Sequence, residues 1–305
     1  MKKDTIIKVL KMGRFQFIFG GFLYFCLGAF FAVLLNAQFN IDKFLLGYAI
    51  FFMAHLSMHF SNDYFDLETD KYGTPSQFAG GSGILVENPD LRSFAYWFSI
   101  TLMSLSLILA ALFTYIFSYT VFFFLFVLLG NLLAFFYAAP PIKLSYTGLG
   151  EISTISLGFL MPAMGYLTIM GTINLPFIIF SIPLMIYMLL FINAVQIPDM
   201  EGDKLGGKAT WIVRKGRIFG FKTIAIAGLL ATFSYIILSL TNIYPTTINF
   251  KVISFLSIIP LTFAILSYLK RSNNRTNATN LVNRNLSSLI LFLIIINIYF
   301  IYQIV

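Results

Sequence analysis

The chain predicts an all-α membrane protein, nine transmembrane helices with the N-terminus on the cytoplasmic side, and three observations carry that prediction. Of 305 residues, 59% are hydrophobic and 10% charged, with mean hydropathy +0.86, a balance found in chains solvated by lipid. Its uncharged runs reach the roughly 20 residues that a helix needs to cross a hydrocarbon core. Its basic residues gather in alternate loops. Lipid offers backbone groups no partner, so the spans must be helical; the strands of a membrane barrel would alternate apolar and polar residues, and these runs do not.

In order, the spans run Phe15 to Leu35, Phe44 to Ser61, Phe94 to Phe117, Thr120 to Ala138, Ile152 to Met170, Leu175 to Ile197, Phe221 to Leu240, Val252 to Leu269 and Leu286 to Val305. Ahead of the first, Thr5 to Gly13 mixes Lys with Ile, Val and Leu and predicts a segment lying along the interface. The third and fourth spans divide one uncharged run, Ser93 to Pro141, near Ser118 to Thr120. The fifth and sixth divide Ile152 to Pro198 near Gly171 to Pro176. The first apolar run is of full span length and lacks a small-residue cleavage site, so it reads as a span and not as a signal peptide. Residues 1–305 form a single integral membrane domain.

Nine spans put successive loops on opposite sides. The N-terminus and the loops after spans 2, 4, 6 and 8 hold 18 of the 20 Lys and Arg residues, with only Lys43 and Lys251 opposite. The positive-inside rule then sets the N-terminus in the cytoplasm and Val305 outside, in the cell membrane. The net charge of +8 is thereby explained by topology, and nucleic acid is not expected as a partner. The single Cys26 lies inside span 1, so neither a disulfide framework nor a thiolate metal site is available. Three glycosylation sequons at Asn274, Asn277 and Asn285 fall in a loop predicted to be cytoplasmic and read as chance.

Eleven of the 12 acidic residues also fall on the cytoplasmic side, and six of them form a repeat. Asp66-Leu-Glu-Thr-Asp-Lys-Tyr-Gly73 and Asp199-Met-Glu-Gly-Asp-Lys-Leu-Gly206 share the pattern D-x-E-x-D-K-x-G, each at the end of an even-numbered span. Residues four apart on a helix face the same way, which pairs Asn62 with Asp66, Asp66 with Asp70, and Asp199 with Asp203. Carboxylates gathered at reduced dielectric repel one another, and cations must balance them. Oxygen ligands without His or Cys select a hard ion, and Mg²⁺ is usually held by one or two carboxylates plus substrate phosphates. One cluster per ion suits a diphosphate gripped between two Mg²⁺. The plain alternative, two solvated helix ends stopped by Gly73 and Gly206, leaves the repetition unexplained.

Asn62-Asp-Tyr-Phe-Asp-Leu-Glu-Thr-Asp70 resembles the N-D-x-x-D-x-x-x-D motif of the UbiA superfamily of intramembrane prenyltransferases, and Asp199-Met-Glu-Gly-Asp203 is similar to its second, D-x-x-x-D motif. Tyr137-Ala-Ala-Pro-Pro-Ile-Lys143 with Gly148-Leu-Gly-Glu151 looks like that family's loop after helix 4, and Gly206-Gly-Lys-Ala-Thr210 like the tail of its second motif. The resemblance implies a UbiA-like helical bundle that transfers a polyprenyl group from polyprenyl diphosphate to an acceptor, usually aromatic. It implies Asn62, Asp66, Asp199 and Asp203 as the principal Mg²⁺ ligands, with Asp63 and Asp70 supporting them on metal or substrate. Lys143 matches a basic residue that holds a diphosphate oxygen, and Tyr137 an aromatic near the reacting carbon, where cation–π attraction would stabilise an allylic cation. Lys71, Lys204 and Arg14 are further phosphate-binding candidates; for Lys204 and Arg14 the reading as interfacial anchors is equally open. His55 and His59 stand one turn apart near the end of span 2 and are expected to pack or hydrogen-bond, with a substrate role the lesser reading.

The loop after the first motif carries Gly80-Gly-Ser-Gly83 where much of the superfamily has an Arg-Pro-rich stretch. This looks more like the 1,4-dihydroxy-2-naphthoate polyprenyltransferases of menaquinone synthesis, and makes that naphthoate the expected acceptor. Hydroxybenzoate and geranylgeranylglyceryl phosphate are the alternatives within the superfamily. Outside it, a cation-coupled transporter would also use intramembrane carboxylates, but such sites lie near the membrane midplane, whereas these lie at helix ends.

Overall fold

The computed structural model describes residues 3–305, and among these every regular element is helical. The interfacial segment forms α1 (Lys3–Met12), and Arg14 turns the chain into α2 (Phe15–Leu34) with a left-handed φ of 43°. α3 (Ile41–Phe65) leads into the first acidic motif, whose remainder is the short α4 (Leu67–Asp70). After the glycine loop come α5 (Ile84–Glu87), α6 (Arg92–Ile116), α7 (Val121–Phe136), α8 (Leu144–Thr147) and α9 (Gly150–Met170). The chain finishes with α10 (Leu175–Leu205), α11 (Trp211–Lys215), α12 (Arg217–Ser239), α13 (Phe250–Leu256), α14 (Ile258–Leu269) and α15 (Arg275–Ile304).

Eight helical segments among the described residues are long and apolar enough to cross a membrane, where nine spans are expected. The difference lies at α7, whose 16 residues rise about 24 Å against a core of about 30 Å. Its stop is local: the chain reaches Pro140-Pro141, which has no amide hydrogens with which to continue a helix. The eighth expected span is divided into α13 and α14 at Ser257, because Pro260 cannot donate to the carbonyl four residues back. α10 behaves as the motif reading requires and carries its 31 residues without interruption through Asp199 and Asp203.

Helix α2 packs on α9 and α15, α3 on α6, and α10 on α9 and α12. Without a hydrophobic drive inside lipid, such contacts depend on close backbone approach and a few buried polar bonds. Gly28 and Gly165 supply the approach between α2 and α9: a Cβ on Gly28 would stand 1.8 Å from the Pro162 carbonyl oxygen, and one on Gly165 1.9 Å from that of Phe25. Polar bonds of this kind run from Ser106 to the Ile50 carbonyl (3.0 Å) and from Asn297 to the Leu23 carbonyl (3.1 Å). Together α2, α3, α9, α10 and α15 enclose a cavity whose lining reaches both acidic motifs at one end of the bundle, the end called its mouth below.

Candidate active site

The two motifs are neighbours through a reciprocal contact. Gly202, fourth residue of the second motif, abuts the backbone of Gly73, eighth of the first, with 3.1 Å between a Cβ built there and the Gly73 Cα. Thr69, fourth of the first, lies against Gly206, eighth of the second, and its hydroxyl is 3.4 Å from the Gly206 carbonyl. α3 ends before Asp66, yet the amide of Asp66 still donates to Asn62 and that of Asp70 to Asp66, both at 2.8 Å. The four-residue register therefore survives the break, and Asn62, Asp66, Asp70, Asp199 and Asp203 all line the cavity. The third residue of each motif turns away: Glu68 pairs with Lys71 at 2.8 Å, and Glu201 with the buried guanidinium of Arg217.

Lys208 balances this charge from within. Its ammonium is 2.9 Å from Asp66 and 3.6 Å from Asp203, so one cation bridges the two motifs. Burial works against that charge, but Asp66 and Asp203 outweigh it and hold the Lys208 pKa well above the ordinary value. Tyr146 donates a hydrogen bond to Asp66 at 2.8 Å and also contacts the Thr69 hydroxyl at 2.9 Å. Asp70 lacks such a partner; burial, reinforced by the charge of Asp66, pushes its pKa up to about 7.

The Gly-Gly-Ser-Gly loop crosses both motifs. Gly80 donates its amide to Asp199 at 2.8 Å, and the Ser82 hydroxyl donates to Asp63. Gly81, at φ 62°, leaves no room for a side chain, since a Cβ would stand 2.3 Å from Asp70 Oδ2. Asp63 is buried and also pairs with Arg14, so the corner between α1 and α2 is tied to the first motif. A left-handed non-glycine residue costs roughly 1–2 kcal/mol, and the contact with Asp63 fixes the direction in which the Arg14 side chain leaves that corner.

Beyond the carboxylates the cavity, of about 260 Å³, becomes mainly apolar. Leu157, Met161, Met188, Phe191, Leu289 and Leu293 form its inner walls, and Tyr137 joins them at the boundary. Of the basic residues singled out from sequence, Arg14 lines this cavity and Lys71, Lys143 and Lys204 do not. Lys71 is held by Glu68, Lys204 is exposed, and Lys143 lies with its ammonium 4.9 Å from the Tyr146 ring. Lys208 is the functional residue that the sequence does not single out, its one cue being its place in Gly206-Gly-Lys-Ala-Thr210, the stretch similar to the tail of the second motif. Tyr146 carries no signal in the sequence, whereas Gly80 and Ser82 belong to the Gly80-Gly-Ser-Gly83 loop, whose contacts with Asp199 and Asp63 its composition does not reveal.

Two observations bear on whether a hard cation fits. Asn62 Oδ1 and Asp199 Oδ1 are buried acceptors with no hydrogen-bond partner, beside carboxylates in a donor set made of oxygen. Among the described residues, no three His, Cys, Asp or Glu side chains converge closely enough to hold a metal unaided. Mg²⁺ does not require that, because phosphate oxygens and water complete its octahedron, and the residues present fit it on those terms.

Comparison with known proteins agrees with this architecture. The profile of the UbiA prenyltransferase family matches residues 22–289. No curated protein sequence matches the chain. Among solved structures, a UbiA homolog from Archaeoglobus fulgidus bound to DMAPP and Mg²⁺ is similar, with TM-score 0.67, 18% identity, and 96% of this chain and 99% of that one covered. The same homolog bound to GPP and Mg²⁺ gives TM-score 0.66 at 18% identity over the same shares. A structure described under digeranylgeranylglyceryl phosphate synthase gives TM-score 0.63 and 17% identity over 96% of this chain and 98% of that one. At such identities the likeness speaks to the fold alone.

Proposed function

Because this chain belongs to the UbiA prenyltransferase family and is a prenyltransferase, we propose that it transfers a polyprenyl group from polyprenyl diphosphate to 1,4-dihydroxy-2-naphthoate, with Mg²⁺. The observation that carries the donor half is the cavity itself: two acidic rows in mutual contact at its mouth and an apolar interior behind them. The solved homolog structures with DMAPP or GPP and Mg²⁺ support the same donor class. The acceptor rests on the Gly80-Gly-Ser-Gly83 loop. A second reading, transfer to geranylgeranylglyceryl phosphate, is favoured by the likeness to the digeranylgeranylglyceryl phosphate synthase structure.

In this reading Asn62, Asp66, Asp70, Asp199 and Asp203 hold two Mg²⁺, one per motif. Bound there, Mg²⁺ would supply positive charge against the negative charge that grows on a departing diphosphate. Lys208 and Arg14 are the cations within reach of diphosphate oxygens, and Lys71, Lys143 and Lys204 attract the anion from outside the cavity. Tyr137, which lines the cavity, is the aromatic that would stabilise positive charge at the allylic carbon, and the apolar walls keep out water that would capture the cation. The bundle sits in the cell membrane with nine spans, α7 included, its N-terminus and the mouth of the cavity on the cytoplasmic side.

The test uses purified protein in detergent with Mg²⁺, a labelled polyprenyl diphosphate, and 1,4-dihydroxy-2-naphthoate, 4-hydroxybenzoate and geranylgeranylglyceryl phosphate offered separately. Prenylated naphthoate is expected, with Asp66→Ala and Asp199→Ala each lowering the rate at least about 100-fold, as loss of a main electrostatic element does. Product from geranylgeranylglyceryl phosphate alone would replace the acceptor, and a wild-type protein that does not bind the diphosphate would overturn the reading.

A further inference from the structure

The acidic end of the cavity leaves a second set of polar groups without a task. His55 and His59 on α3, Gln196 on α10 and Tyr24 on α2 line the same cavity, and each is only 4–7% exposed. His55 Nδ1, His59 Nε2, Gln196 Oε1 and the Tyr24 hydroxyl have no hydrogen-bond partner in the protein. A prenyl chain cannot supply one, since it is hydrocarbon. Left against it, each group would forfeit the hydrogen bonds it makes with water, which folded proteins avoid. The set therefore calls for another ligand, one that bears hydrogen-bonding groups of its own.

The kind of ligand follows from the chemistry of the four groups. A neutral imidazole presents one donor and one acceptor, an amide presents both, and so does a phenol. That mixture matches ring hydroxyls and carbonyls, whereas a phosphate only accepts and is best met by cations. Aromatic packing fixes the two imidazoles in place: their rings are in contact at 5.2 Å, His59 packs on Phe17 at 5.8 Å and His55 on Phe51 at 5.5 Å, so the edges that line the cavity are held rigidly. His59 precedes Asn62, and Gln196 precedes Asp199, by three positions, so both stand one helical turn, about 5 Å, inward of the acidic rows. That is where the first carbon of a chain leaves a diphosphate held at the mouth.

We propose that His59 and Gln196, with His55 and Tyr24 deeper in, recognise the hydroxyl-bearing ring of a hydroxyaryl acceptor, and that His59 and Gln196 set the specificity for it. This rests on the prenyl-transfer reading above and narrows its acceptor class.

The experiment compares wild type with His59→Phe, His59→Asn and Gln196→Leu in detergent with Mg²⁺. Equilibrium binding of geranyl thiolodiphosphate, an unreactive donor analogue, is measured first and also reports that each variant is folded. The KM for 1,4-dihydroxy-2-naphthoate, 4-hydroxybenzoate and geranylgeranylglyceryl phosphate follows. Expected are a rise of at least tenfold in hydroxyaryl KM for His59→Phe and Gln196→Leu, partial recovery in His59→Asn, and analogue affinity within twofold of wild type. Should His59→Phe lose the analogue, Gln196→Leu on the other helix decides. An unchanged hydroxyaryl KM in the variants that bind the analogue overturns the inference and leaves prenyl transfer standing. So does a wild type that binds the analogue but accepts only geranylgeranylglyceryl phosphate. A wild type that cannot bind the analogue brings down the prenyl-transfer reading itself.

Discussion

Lys208 sits where no periodicity would have put it. Positions 1 and 5 of each acidic motif share a helix face, and that much was legible: Asp66 and Asp70, and Asp199 and Asp203, line one cavity. The lysine at position 6 of both motifs is 100° further round, which is why Lys71 and Lys204 leave that face despite their tempting repetition. Lys208 follows Gly207, whose φ of 78° lets the chain double back and aim the ammonium between Asp66 and Asp203, a direction fixed by a turn and invisible to spacing. Lys208→Met should leave those buried carboxylates uncompensated at a cost of about 3–5 kcal/mol. Thermal unfolding in EDTA is expected to show the loss and added Mg²⁺ to restore part of it; an unchanged midpoint in EDTA would refute the bridge. Asp70 makes a pH prediction. Its pKa, raised to about 7 by burial and by Asp66, means that the metal-free fold takes up a proton more readily than the unfolded chain, so this group's contribution to stability declines as pH rises from about 4 towards 7. A cation must displace that proton, so Mg²⁺ affinity should be level above about pH 8 and weaken as pH falls below 7. Calorimetric titration at pH 6, 7 and 8 checks it, and Asp70→Asn should reduce the pH dependence without abolishing it, because burial and the charge of Asp203 push Asp199 up to about 7 as well.

Among the elements, the spans were predicted by their lack of charge, and their ends by turn chemistry. The element that ends earlier than its hydropathy suggests is α7, because the apolar run continues through Tyr137-Ala-Ala while the helix stops at Phe136. What no hydropathy pattern reveals is which helices touch. The α2–α9 crossing depends on Gly28 and Gly165, two among 21 glycines that differ from the rest only in what lies opposite. Gly28→Leu should push α9 away and destabilise the bundle by about 1–3 kcal/mol or more, read as a lower midpoint in detergent. Gly130→Leu is the control, because no atom lies within 4 Å of a Cβ there and α7 should tolerate it. Equal behaviour of the two variants would show that the crossing contributes nothing.

For the whole molecule, the distribution of Lys and Arg predicts an orientation that labelling can check. In a Cys26→Ser background, Asn273→Cys before α15 should react with impermeant maleimide only in inside-out vesicles, and Thr246→Cys after α12 only in right-side-out ones. The opposite pattern would invert the topology and put the cavity mouth outside the cell. Whichever way it faces, the reciprocal seating of Gly202 on Gly73 and of Thr69 on Gly206 has a mechanical consequence. The two acidic rows cannot be spread or squeezed without separating backbone from backbone, so they act as the fixed jaws of a vice. An anionic head must match their gap as it stands. Any adjustment to different ligands then falls to the strip from Gly80 to Ser82, which rests on both jaws through hydrogen bonds alone.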